Sequence, residues 1–199
     1  VTDSSLLRKI IMFLADNIGN NTSINSISNV LLNEKLIETK PAVQTVQSYV
    51  VTLLEAYVFY EIKRFDIKGK EFLKTLGKYY IVDIGLRNYL LGFRNRDIGH
   101  IIENIVYFEL LRRGYDVAIG KIGDNEIDFI ATNANTKIYI QVTENITSSS
   151  TRERELAPFY KIQDNFEKII ITNDESYLGV HDGIKIIRLV DFLLDENIL

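Results

Sequence analysis

Glu126-Ile127-Asp128-Phe129-Ile130 and, after a polar turn at Asn133 to Thr136, Ile138-Tyr139-Ile140-Gln141-Val142-Thr143 decide how this chain is read. Apolar residues on both sides of a short polar turn predict a β-hairpin. Its first strand carries a carboxylate, Asp128, and its second an amide, Gln141, at the facing point. An ionised Asp in the middle of an apolar strand is costly unless it is paired or bound to a metal. Asp128 therefore needs a partner.

Upstream of the hairpin, Ile98, Ile101, Ile102, Ile105, Val106, Phe108, Leu110 and Leu111 predict a buried helix that carries Glu103 and ends at Arg112-Arg113-Gly114. Strands are expected over Tyr115 to Lys121, Asn125 to Thr132 and Lys137 to Thr143. A helix over Arg152 to Ile162 follows, then strands over Lys168 to Thr172 and Gly183 to Leu189 and a last segment over Asp191 to Leu194. This α-β-β-β-α-β order, with Glu103, Asp128 and Gln141 in place, resembles the restriction-endonuclease-like core of the PD-(D/E)xK nuclease-like superfamily. The resemblance implies that Asp128 is the metal Asp, Gln141 the Glu/Asp/Gln position and Glu103 the helix acid, together holding Mg²⁺ or Mn²⁺ beside the Val142 carbonyl. The superfamily's lysine is Thr143 here, which carries no charge; Lys121, at the end of the first strand, is its possible substitute. Glu126 shares a face with Asp128. A metal-free reading stands beside this one: Glu103 and Asp128 are satisfied by Gln141, Thr143 and backbone amides. Arg154 is either a phosphate partner or part of a solvated face in the run Arg152-Glu153-Arg154-Glu155. His100 and His181 lack neighbours of metal-ligand type.

The first part of the chain has a helical period. Leu6, Leu7, Ile10, Ile11, Phe13, Leu14 and Ile18 follow the possible cap Asp3; Ser26 to Leu32 predicts a second helix; Ala42 to Ala56, after Pro41, predicts a third. Strands at Tyr57 to Ile62 and Lys78 to Asp83 flank a turn near Asp66 to Gly69, and Ile84 to Leu91 is a connecting helix. Three helices and a ribbon resemble the winged helix-turn-helix family. That resemblance implies that Gln44, Thr45, Gln47 and Ser48 meet base edges while Lys40, Lys63, Arg64, Lys68 and Lys70 meet phosphates. The alternative is a neutral polar helix face and an ordinary solvated ribbon.

Composition limits the choices. With 199 residues, 46% hydrophobic, the chain can fill one large core or two small ones. A net charge of −4 and a pI of about 5.3 give no global positive field for nucleic acid. The absence of cysteine excludes disulfides, thiolate zinc sites and cysteine nucleophiles. No apolar run of about 20 residues occurs, so a cytoplasmic protein without membrane contact is expected. No Gly-x-x-x-x-Gly-Lys-Ser/Thr loop is present, and Val1 in place of Met is read as the start of a piece cut from a longer chain.

Gly77-Lys78-Tyr79-Tyr80-Ile81-Val82-Asp83-Ile84-Gly85-Leu86-Arg87, then Glu103-Asn104, Glu126-Ile127-Asp128-Phe129, Ile140-Gln141-Val142-Thr143, Arg154-Glu155-Leu156 and Ile162-Gln163-Asp164-Asn165 together resemble the C-terminal part of prokaryotic AAA+ ATPases of the AAA-14/DUF4143 type. A Gln-Val-Thr ending belongs to that resemblance. It implies an N-terminal AAA+ module as partner. The expected fold is thus α/β in its parts and α+β overall, a winged helix over 1–92 followed by a nuclease-like domain over 93–199. The expected function is a recognition or regulatory region of an AAA+ ATPase that binds DNA or a protein partner, with a metal-dependent DNA endonuclease as the alternative and enzyme status open.

Overall fold

The computed structural model describes residues 3–33, 39–94 and 97–199. Two compact units divide the chain: Val1–Ile62 with Lys74–Asn95, and Lys63–Leu73 with Arg96–Leu199. The architecture is α+β; among the described residues there are seven helices and a mixed eight-stranded sheet in the order β2-β1-β3-β4-β5-β6-β8-β7.

In the first unit, α1 (Ser4–Asp16) starts where the Leu6 N–H donates to Asp3 Oδ1 at 2.9 Å, satisfying one of the free amides of a helix start. α2 (Ile24–Asn33) opens with Ser23 and Ser26 reciprocally bonding each other's N–H to their hydroxyls. α3 (Val43–Glu55) follows, then β1 (Phe59–Asp66) and β2 (Glu71–Ile81), of which the parts up to Ile62 and from Lys74 belong to this unit, and α4 (Ile84–Leu91). Leu6, Ile10 and Leu14 line one face of α1 and pack with Ile27 and Leu31 of α2, Val46 and Val50 of α3, and Phe59, Tyr79 and Ile81 of the ribbon. The core is closed by the four-residue and three-residue steps that the helical period predicts. Arg87 of α4 is buried and donates through Nε to the Ala15 carbonyl at 2.9 Å.

β2 starts seven residues earlier than expected. Residues 71–76 are largely exposed, so they carry no apolar period to betray them. β1 in turn starts two residues later, because Tyr57 adopts φ +55° in the turn after α3. Asn95 and Arg96, just past the expected domain boundary at 92/93, lie outside the described residues.

The second unit runs α5 (Ile98–Arg112), β3 (Asp116–Ile122), β4 (Asn125–Thr132), β5 (Lys137–Thr143), α6 (Ser149–Tyr160), β6 (Glu167–Thr172), β7 (Gly179–His181), β8 (Ile184–Arg188) and α7 (Leu189–Leu194). β3, β4 and β5 form an antiparallel meander, β6 and β8 add parallel to β5, and β7 pairs antiparallel with β8. The turn at Asn133 closes through Asn133 Oδ1, which accepts the N–H groups of Asn135 and Thr136. Side chains alternate across the sheet: Phe129 stacks on Tyr107 of α5 at 6.2 Å, while Ile130 and Tyr139 pack with Phe159 of α6. The ribbon tip belongs to this unit because Arg64, Phe65 and Asp66 pair parallel with Ile119, Gly120 and Lys121 of β3. No sequence signal announces that long-range pairing. Among the described residues no helix is long and apolar enough to cross a membrane.

Candidate functional site

The regular β4–β5 pairing covers Phe129 to Thr132 against Lys137 to Ile140. One pair further, side chains take over. The Asp128 N–H donates to Gln141 Oε1 at 2.7 Å, and the Val142 N–H donates to Asp128 Oδ2 at 2.8 Å. The carboxylate that looked anomalous in an apolar strand thus accepts a main-chain N–H, which would otherwise be left without its ladder partner.

Gln141 is buried and continues the line. Its Nε2 donates to Glu155 Oε2 of α6 at 3.2 Å, and Arg154 donates to Glu155 Oε1 through Nη2 at 2.7 Å and Nε at 3.1 Å. Thr143, at the lysine position of the superfamily, donates its hydroxyl to the Asn145 carbonyl at 3.0 Å. Asp128, Gln141 and Glu155 therefore tie β4, β5 and α6 together. Removing the Asp128 acceptor strands a partly buried N–H, a loss of about 2 kcal/mol. Asp128→Ala is expected to show it in urea denaturation, whereas Asp128→Asn, which keeps an acceptor oxygen, should lose less than about 1 kcal/mol.

Beside this line lies a cavity of about 360 Å³, lined by Gly99, His100, Glu103, Val142, Thr143, Glu144, Asn145, Thr151, Arg154 and Glu155. Glu103 and Glu155 keep only 10% of their side chains exposed. His100 Nδ1 stands 3.9 Å from Glu103 Oε2. The loop that forms one wall is held by Asp174, whose carboxylate accepts from the Thr147 hydroxyl and from the Ile146 and Ser176 N–H groups. The Thr147 hydroxyl, then Ser176, hold that carboxyl well below the usual carboxylate range.

The structure thus brings Asp128 and Gln141 together and sets Glu103 and Thr143 on the cavity wall. Lys121 lies opposite Glu126 in the ladder, away from that wall. Arg154, one side of the phosphate-partner expectation, is bonded to Glu155. Among the described residues no three of His, Asp and Glu stand close enough to hold a metal ion. The nucleic-acid candidates are split between the units. Lys40, Gln44, Thr45, Gln47 and Ser48 stand at and along the start of α3, with Lys40, Gln44, Gln47 and Ser48 exposed. Lys63 and Arg64 are on β1, and Arg64 Nε lies 3.8 Å from Glu126. Sequence reasoning set His100 aside, though Glu103 stands beside it, and missed Glu144, Thr151 and above all Glu155. The last was legible: Glu155, Pro158 and Phe159 stand at three-residue and four-residue steps and share the inner face of α6.

Comparison with known proteins covers most of the chain. Residues 1–97 match the model of DUF8612, a domain of unknown function. An uncharacterised protein of Haemophilus influenzae is 41% identical over 194 residues, 98% of this chain and 47% of its own length. An uncharacterised protein of Methanocaldococcus jannaschii is 30% identical over 204 residues, 96% of this chain and 44% of its own length. The chain spans about half the length of the curated relatives it matches. No solved structure matches it.

These matches correct the family expectation. The matching model is DUF8612 and not DUF4143, and the relatives are uncharacterised proteins rather than ATPases of the AAA-14 type. The expectation of a C-terminal recognition or regulatory region serving an N-terminal AAA+ module is withdrawn. So are DNA as its partner and the metal-dependent endonuclease, for which neither the matching model nor the relatives offer support.

Proposed function

We propose that the cavity at the end of β5 recognises a small organic cation, and that Asp128 and Gln141 form the frame that holds it open. The observation that carries this reading is the charge of the lining. Glu103, Glu144 and Glu155 face the cavity, and among the described residues that line it Arg154 is the one Lys or Arg side chain. Acidic side chains thus outnumber basic ones in the described lining, and that excess favours a positive ligand in a partly desolvated site. A volume of about 360 Å³ suits a ligand of a few heavy atoms bearing an ammonium or guanidinium group. The finer architecture is part of the proposal: the helices and ribbon of the first unit support a winged helix, and the order α5-β3-β4-β5-α6-β6 supports a restriction-endonuclease-like core, as folds without an assigned activity.

Calorimetric titration with methylguanidinium, agmatine and putrescine, against acetate at equal ionic strength, tests the reading. Saturable cation binding that weakens at least about tenfold, or 1.4 kcal/mol, in Glu103→Gln and in Glu155→Gln is expected. Binding of acetate alone would overturn the sign. A thermal midpoint that rises with Mg²⁺ or Mn²⁺ in the wild type but not in Asp128→Asn would favour a metal held by Asp128, Gln141 and Glu103 instead.

A further inference from the structure

A second cavity in the same unit, of about 340 Å³, is lined by Phe65, Phe72, Asp116, Val117, Ala118, Ile130, Thr132 and Lys137. Unlike the polar cavity beside β5, it has an apolar interior. Phe65 and Phe72 of the ribbon tip meet edge to face at 5.2 Å and 70°. They are held over β3 by the parallel pairing of Arg64 to Asp66 with Ile119 to Lys121 and by the Ile67 N–H, which donates to the Lys121 carbonyl at 2.9 Å. Val117, Ala118 and Ile130 complete the apolar wall, and the register of β3 against β4 shifts between Ala118 and Gly120. Phe72 remains 60% exposed, an aromatic face left in water at the entrance.

The rim is charged in an ordered way. Asp116 pairs with Thr132, and Thr132 with Lys137, so one row across three strands carries a carboxylate, a hydroxyl and an ammonium. Neighbouring strands are about 4.8 Å apart, which sets the Asp116 and Lys137 backbones roughly 10 Å from each other. The Thr132 hydroxyl donates to the Asp116 carbonyl at 3.3 Å. Lys137 is positioned from the other side: its Nζ lies 4.7 Å from the Tyr139 ring centroid, 5.1 Å from that of Phe166 and 3.8 Å from Asp164 Oδ2.

We propose that this cavity binds a free apolar α-amino acid, its side chain against Phe65, Phe72 and Ala118, its ammonium at Asp116 and its carboxylate at Lys137. An apolar body with both charges at one end is what an apolar wall beneath a rim of both signs selects. A peptide end would offer one of the two charges, and a fatty acid or an arylamine likewise one.

Calorimetry on the full chain with L-phenylalanine and L-leucine, and with hydrocinnamate and phenethylamine as single-charge probes, tests this. The amino acids are expected to bind at least tenfold more tightly than either probe. Asp116→Asn should abolish the advantage of L-phenylalanine over hydrocinnamate, and Lys137→Gln its advantage over phenethylamine. Ala118→Leu should abolish binding of all of them, while Glu103→Gln leaves it unchanged, so failure here and failure at the β5 cavity are separable. Equal affinity for the three aromatic compounds, or no saturable heat with the wild type, overturns the proposal. The Asp116 and Lys137 variants decide it even if Ala118→Leu folds poorly.

Discussion

Replacing Glu109 with alanine is expected to destabilise the protein by about 4 kcal/mol, because it leaves a desolvated arginine without its counter-charge. Glu109 is 9% exposed and bonds both arginines at the end of α5. Arg112 donates through Nε to Oε2 and through Nη2 to Oε1, each at 2.8 Å, and Arg113 Nε donates to Oε1 at 2.7 Å. Arg113 keeps only 7% of its side chain exposed, donates through Nη2 to the Phe192 and Asp195 carbonyls and lies 4.5 Å over the Phe192 ring. Glu109 thus orients the cation that docks α7 and the residues after it. Urea denaturation at neutral pH measures the loss, and hydrogen exchange should show α7 loosening first. Replacing both partners, Glu109→Leu with Arg113→Met, should recover much of it, since apolar groups need no counter-charge. A loss below 1 kcal/mol in Glu109→Ala would show that water still solvates Arg113.

The same pair gives a pH dependence. The Arg112 guanidinium, opposed by burial and helped by Arg113, holds the Glu109 carboxyl below its ordinary value. A depressed carboxylate contributes stability that is present above the unfolded-state pKa and lost as pH falls through the folded one. Acid weakening should therefore set in from the ordinary glutamate range downward, and this part of it should be missing in Glu109→Gln.

Gly120→Val should cost about 3 kcal/mol, from overpacking and not from loss of a contact. A Cβ at Gly120 would lie 2.9 Å from Ile127 Cβ, 3.1 Å from Ile130 Cγ1 and 3.1 Å from Ile67 Cδ1. Ile127 and Ile130 sit in the buried core, and Ile67 packs onto it from the ribbon tip, so relief must come from moving the tip or the strand. Gly120→Ala also removes the entropic cost of glycine in a strand, roughly 0.5–1 kcal/mol, and is expected to lose only about 1 kcal/mol net. Denaturation midpoints compare the two. A stabilised alanine variant would show that the ribbon tip is not held this tightly against β3. Displacing the tip should also weaken amino-acid binding beneath Phe65 and Phe72.

Much of the secondary structure was legible in particular residues. Leu6, Ile10 and Leu14 mark the inner face of α1 by their spacing. Asn125 to Thr132 and Lys137 to Thr143 were bounded correctly at both ends because alternation meets a turn whose Asn133 closes it with its own side chain. Residues 71–76 and the short β7 were not legible, for their exposure leaves them without a period. Family resemblance was a weaker guide. Motifs matched loosely along the chain suggested an ATPase fragment that the matching family model and relatives do not support.

What the sequence determined by itself is which residues must leave water: apolar spacing is local, and it assigns faces to helices and strands wherever one side is buried. It also determined that Asp128 needs a partner, since an unpaired carboxylate in an apolar strand is too costly to keep. Only the tertiary structure decided who that partner is. Asp128 accepts the Val142 N–H, Gln141 bridges to Glu155, Glu109 gathers two arginines under α7, and Arg64 to Asp66 pair with β3. Hydrogen bonds and ion pairs are short-ranged and directional. Their choice among many compatible polar groups follows from strand register and helix placement, which local patterning does not encode.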